Sequence, residues 1–231
     1  MIRFFGALTW PRFNFYFDTH IEGTEHISEL PRKNVLIVSN HQTYFADALL
    51  MQHAFHAALC GKPNTVRYPG FLFVPHKDIY LVAARETVEN TMLTRFMDIG
   101  GVLMIQRTWK KDGQDVKIGV NPKDPQRMKI ALRSGWVVSF PQGTTKPFVP
   151  GRKGTAHLIK ETECIVVPVV IDGFRRAFDK TGVKKKKKGV TLKMKVKAPL
   201  KIDYTDSVEN ILEQVMDAIE QSPKFDKRTE T

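Results

Sequence analysis

Two cysteines, Cys60 and Cys164, are all that the chain contains. That is too few for a disulfide scaffold and fits a reducing compartment. No stretch reaches the roughly 18 consecutive apolar residues that an ordinary spanning helix needs. Residues 1–17 also lack the unbroken apolar core and small-residue cleavage site of a secretory signal. No internal repeat is visible, and no linker divides the chain. Acidic residues are few, 24 against 36 lysines and arginines, and the net charge is +12. Five of those positive charges lie in one run, Lys184 to Lys188, so the remaining surface is less basic than the total suggests. A basic surface seeks polyanions such as nucleic acid, anionic headgroups or phosphorylated substrates. Charge alone does not choose among them.

The 231 residues are 42% apolar and 26% charged, which supports a folded core and excludes wholesale disorder. Short apolar runs read as buried strands at 35–39, 80–84, 102–105, 136–140 and 165–171. Pro168 inside the last of these predicts an edge strand or a bulge. Residues 190–196 alternate apolar positions with lysines, the pattern of a half-buried strand. Helical patterns fall at 48–59, 87–97, 126–133 and 155–161. A closing helix follows Asp206, which reads as its N-cap. Strands alternating with helices predict an α/β fold: a single domain with a mixed, mostly buried sheet flanked by helices. The expected organisation is an N-terminal interfacial segment at 1–29, an α/β domain at 30–222 and a polar tail at 223–231.

Residues 1–17 carry Phe4, Phe5, Trp10, Phe13, Phe15, Tyr16 and Phe17, with Arg3 and Arg12 among them. Rings with a few arginines suit a membrane interface. The same rings would equally suit packing on the body of the protein. A second apolar patch, Phe71 to Val74, lies in a stretch rich in proline and glycine.

The chemistry concentrates at strand ends. His41 and Asp47 follow the strand at 35–39, and a carboxylate can orient an imidazole as a general base. Arg85 follows the strand at 80–84, and Arg107 follows that at 102–105. Gln142, Gly143 and Thr144 follow that at 136–140. Neighbouring strands would bring these groups to one crevice, with the two arginines as an anion pocket.

Four blocks in order carry a resemblance. They are Asn40-His41-Gln42…Asp47, Ala83-Ala84-Arg85-Glu86 with Gly101 to Arg107, Phe140-Pro141-Gln142-Gly143-Thr144 and Val167 to Ile171. Together, over roughly residues 30–200, they resemble the glycerolipid acyltransferases typified by 1-acylglycerol-3-phosphate acyltransferase. The resemblance implies that His41 deprotonates a lysolipid hydroxyl while Asp47 orients it. The hydroxyl then attacks the thioester of acyl-CoA or acyl carrier protein, with no metal and no other cofactor. It also implies that Arg107 holds the acceptor's phosphate and that Phe140 to Thr144, with Gln142, Gly143 and Thr144 among them, line the acceptor site.

The chain departs from the family pattern in three places. Five residues, not four, separate His41 from Asp47, so their meeting requires a bulged turn. Gln142 stands where the family has Glu, and Thr145 where it has Arg. The first candidate acceptor is 1-acylglycerol-3-phosphate. The alternatives are an amino-acid-containing or otherwise modified lysolipid, or a non-catalytic protein binding lipid or nucleic acid through its charge. The expected partners are the lipid acceptor, the thioester donor and an anionic membrane surface on the cytoplasmic side, with no nucleic acid. His53, His56 and Cys60 share helical spacing but lack further ligands for a metal site.

Overall fold

In chain order the elements are helix α1 (Ile2–Pro11), a π-helical turn (Arg12–Tyr16), strand β1 (Asp18–Glu22), helix α2 (Glu25–Ser28) and strand β2 (Val35–Ser39). Helix α3 (Ala46–Leu59), strands β3 (Ile79–Ala84) and β4 (Val102–Ile105) and the two-residue strands β5 (Lys110–Lys111) and β6 (Gln114–Asp115) follow. Then come α4 (Lys123–Ser134), β7 (Trp136–Ser139), α5 (Lys153–Thr162), β8 (Ile165–Asp172), α6 (Phe174–Ala177), β9 (Thr191–Val196) and α7 (Val208–Ala218). The structure is a computed structural model and describes residues 2–73, 78–84, 102–105, 110–111, 114–115, 121 and 123–227. The helix expected at 87–97 lies outside them.

Seven strands form one sheet in the order β1-β9-β8-β2-β7-β3-β4. β2 runs parallel to β7 on one side and to β8 on the other, and all five of its residues are buried. A strand covered on both faces is apolar nearly throughout, which is why 35–38 reads as an unbroken run; the buried Ser39 hydroxyl donates to the Asn40 carbonyl. Its side chains alternate between two cores. Val35 and Ile37 join α3 and the N-terminal aromatics on one face. Leu36 and Val38 join α4, α5 and α7 on the other. The result is a single α/β domain, mixed in direction because β8 and β9 pair antiparallel.

Two expectations change. β8 is an interior strand, so Pro168 marks neither an edge nor a bulge. Its carbonyl accepts the Lys197 N–H, so the side of Pro168 without a donor faces the point where β9 ends. The cap of α7 is Ser207, whose hydroxyl accepts the Asn210 N–H at 3.1 Å; Asp206 instead accepts the Ser207 N–H and the Asn210 side-chain amide. Residues 18–22, inside the segment expected to lie at an interface, form the edge strand β1 against β9.

The N-terminal aromatics divide. Phe13 and Phe17 are buried, while Phe4, Leu8 and Phe15 are exposed. α1 packs on the turn Gly70–Leu72 so closely that a Cβ on Gly6 would lie 2.3 Å from the Phe71 ring. A buried imidazole joins α1 to α3: His53 Nε2 meets Thr9 Oγ1 at 2.9 Å. Burial first, and His56 second, push the His53 pKa down to about 3. The folded protein therefore holds His53 neutral, whereas the unfolded chain protonates it below about 6.5. Between those values the unfolded state binds more protons, so stability falls as pH falls. The expected slope approaches 1.4 kcal/mol per pH unit, read from unfolding midpoints, and flattens in His53→Asn.

Candidate active site

β2 ends at Ser39 and α3 begins at Ala46, so residues 40–45 form the connecting loop at the sheet's carboxyl edge. Two amides fix that loop. Asn40 donates to the Ile171 carbonyl at 2.9 Å and accepts the Ile171 N–H at 2.8 Å, tying the end of β2 to β8. Gln42 Oε1 accepts the Phe174 N–H at 3.0 Å, and its Nε2 donates to the Ile171 carbonyl at 3.1 Å. The sequence Asn-His-Gln thus presents His41 between two anchors.

Asp47 occupies the first turn of α3 and is fully buried. Its Oδ2 lies 3.0 Å from His41 Nδ1 and accepts the Gln42 N–H at 2.6 Å. The Thr43 N–H and hydroxyl complete the set, the latter at 2.6 Å to Oδ1. A buried carboxylate is stable only with such donors around it. The five intervening residues do not separate the pair, because the bulge is pinned from outside. The Tyr44 and Phe45 N–H groups donate to the carbonyls of Lys180 and Thr181. Gly182, at φ +81°, approaches so closely that a Cβ would lie 2.6 Å from the Ala46 nitrogen. Asp179 organises this supporting loop, accepting the Gly182, Val183 and Lys184 N–H groups.

Phe140, just past β7, stacks on the His41 ring with centroids 3.9 Å apart and planes 21° from parallel. With Nδ1 committed to Asp47, Nε2 is the nitrogen left to exchange a proton. The profile of the Acyltransferase family matches residues 18–172, a span from β1 through β8 that includes both residues. The chain belongs to the acyltransferase family. Its general chemistry is therefore the transfer of an acyl group.

Among solved structures, a similar one is the crystal structure of the 1-acyl-sn-glycerophosphate (LPA) acyltransferase PlsC from Thermotoga maritima. It superposes with a TM-score of 0.60 at 17% identity, over 94% of this chain and 75% of that one. At that identity the likeness establishes the fold. No curated protein matches the chain.

Within this acyltransferase, the remaining predicted residues separate. Arg85 and Arg107 lie outside the described residues. Gly143 and Thr144 sit in the loop after β7, beside the His41–Phe140 stack. Gly143 adopts φ +63° and donates its N–H to the Phe140 carbonyl at 2.9 Å, closing a turn, so that particular N–H is occupied. Thr144 is half-buried, and its hydroxyl accepts the Lys146 N–H. Gln142 points inward: it is buried, and its Nε2 donates to the Val149 carbonyl at 3.0 Å. A carboxylate here would have no proton to offer that carbonyl, which gives the amide a structural reason. His53 and His56 go to Thr9 and to the Gln52 carbonyl, respectively.

Nothing in the sequence pattern marks Arg175, in the first turn of α6. Its Nη2 donates to the His41 carbonyl at 3.3 Å and to the Thr145 carbonyl, bracing the two loops that carry His41 and Thr144. Desolvation lowers its pKa, opposed by the negative charges of Asp47 and Asp172. Asp172 itself is pulled below the ordinary carboxylate value. Burial would raise it, but the Gly173 N–H, Arg176 and Gln42 prevail together.

Proposed function

We propose that the enzyme acylates the free hydroxyl of a lysolipid, with 1-acylglycerol-3-phosphate as the first candidate, using acyl-CoA or acyl carrier protein as donor. His41 Nε2 takes the hydroxyl proton as oxygen attacks the thioester carbonyl. Asp47 steadies the imidazolium, and the proton passes to the departing thiolate. The observation that carries this reading is the 3.0 Å contact between His41 Nδ1 and a fully buried Asp47. Arg107 and Arg85 are proposed to hold the acceptor's phosphate, with Gly143 and Thr144 at its edge and Gln142 shaping the loop behind them. The test is transfer of a labelled acyl chain from each donor to a panel of lysolipids. Wild-type protein inert with every pair would remove the reading.

The proposal extends to a membrane surface. No helix among the described residues is long and apolar enough to cross a bilayer. Phe4, Leu8 and Phe15 are exposed on the N-terminal segment, and Leu72 and Phe73 on the turn packed against it. Basic charge lies alongside. The Lys185 ammonium sits 3.8 Å above the Tyr16 ring, and Lys184 to Lys188 are exposed. Rings beside lysines suit an anionic lipid surface, where each lysine contributes about 1 kcal/mol. Serine at Phe4, Phe15 and Phe73 together should weaken binding to anionic vesicles by at least about a hundredfold, since losing only about 110 Å² of buried apolar area already costs that much. A co-sedimentation assay reads the effect. Unchanged binding would place the surface elsewhere.

A further inference from the structure

We propose that Arg175 is a specificity-determining residue of the acceptor site, contributing, in addition to the proposed Arg107 and Arg85, to the hold on the anionic headgroup of the lysolipid. The inference rests on the acyl-transfer reading of His41 and Asp47, and names a group that this reading does not otherwise use.

Arg175 forms no ion pair with a carboxylate among the described residues, although the charges of Asp47 and Asp172 reach it from further off. Its two bonds go to main-chain carbonyls, which brace the guanidinium but do not neutralise it. The nearby carboxylates are engaged. Asp172 Oδ2 pairs with Arg176 at 3.1 Å, and Asp47 is enclosed by His41, Gln42 and Thr43. Both bonds leave from Nη2, so Nε and Nη1 keep three N–H donors with no partner among the described residues. The side chain is exposed, so those donors are open to a ligand.

The guanidinium is also held in place before any ligand arrives. The Arg175 N–H donates to Gln42 Oε1, and Gly173, at φ +93°, seats the start of α6 against Thr191. An ordered guanidinium fork loses little further freedom when it takes a phosphate or carboxylate by two hydrogen bonds. Its position sets the distance. One nitrogen lies 3.3 Å from the carbonyl of the very residue whose imidazole must reach the acceptor hydroxyl. An anion on Arg175 is therefore held against the loop that presents the imidazole, and a lysolipid phosphate, a few bonds from its free hydroxyl, is such an anion.

The test compares two short-chain acceptors, 1-acylglycerol 3-phosphate and uncharged 1-acylglycerol, in wild type, Arg175→Gln and Arg175→Lys. Calorimetry without thioester measures binding alone. Steady-state transfer then gives KM and kcat for each acceptor and for the donor. Losing a charge-assisted contact should weaken the phosphate acceptor by roughly tenfold to a hundredfold more than the uncharged one. Arg175→Lys should recover part of that difference. Equal losses on both acceptors would reduce Arg175 to a brace between loops and overturn the proposal. So would a rise in KM confined to acyl-CoA, which would place a donor phosphate there instead. Wild-type protein that binds the phosphate acceptor selectively but transfers nothing would leave Arg175 standing and remove the general-base reading. Wild-type protein that transfers acyl groups but binds the two acceptors alike would do the reverse.

Discussion

Alanine at position 41 should lower kcat by about 10²- to 10⁴-fold, the usual contribution of a positioned general base. The fold should survive. The His41 side chain is 14% exposed and lies at the rim of the site. Removing it leaves Asp47 with the Gln42 and Thr43 N–H groups and the Thr43 hydroxyl as donors. The buried carboxylate therefore stays solvated by the protein, and the unfolding midpoint should move little. Steady-state transfer of a labelled acyl chain and thermal unfolding of the same preparation separate the two effects. A variant retaining activity within about tenfold of wild type would deny His41 the role of base.

Asparagine at position 47 should have an effect as large, for a different reason. An amide can keep the turn. With its oxygen toward His41 and the Gln42 N–H, its nitrogen faces the Thr43 hydroxyl, which can turn to accept. What disappears is the negative charge that stabilises the imidazolium. Loss of that charge in a comparable histidine–aspartate arrangement costs about 10⁴-fold in kcat. Alanine at 47 would remove the charge and also abandon buried donors, so it should lose stability as well as activity. Comparing kcat and unfolding for Asp47→Asn and Asp47→Ala distinguishes the roles. Near-normal turnover in Asp47→Asn would make the carboxylate a structural anchor only.

The legible parts of the sequence were those where one interaction dominates. The strands at 35–39 and 136–140 read clearly because burial on both faces demands apolar residues nearly throughout; the observed strands end in buried Ser39 and Ser139. β9 read clearly because burial of one face demands alternation, and Leu192, Met194 and Val196 are indeed buried between exposed lysines. β1 was illegible: Asp18 to Glu22 buries only Ile21, and β9 supplies its pairing from far along the chain. The aromatic N-terminus could not be divided from sequence. A π-helical turn shifts the helical phase there, burying Phe13 and exposing Phe15.

At the site, the residue types at 41 and 47 were legible, and their contact was not. Closure across the extra residue depends on the carbonyls of Lys180 and Thr181, which no local pattern announces. Arg175 was missed for the same reason. Its bonds run to main-chain oxygens at 41 and 145, and a carbonyl partner leaves no mark in the residue alphabet. Arg85 and Arg107 remain proposals drawn from the blocks around them.

The two buried phenylalanines near the start of the chain have a practical consequence. Phe13 and Phe17 both pack against Phe178 with tilted rings, so the first strand's leader is also interior filling. Trimming the protein back to its recognisable family span would hollow out that layer. Any change in where the shortened protein fractionates would then report damage to its interior, and single-site changes at the outward-facing rings are the cleaner probe of address.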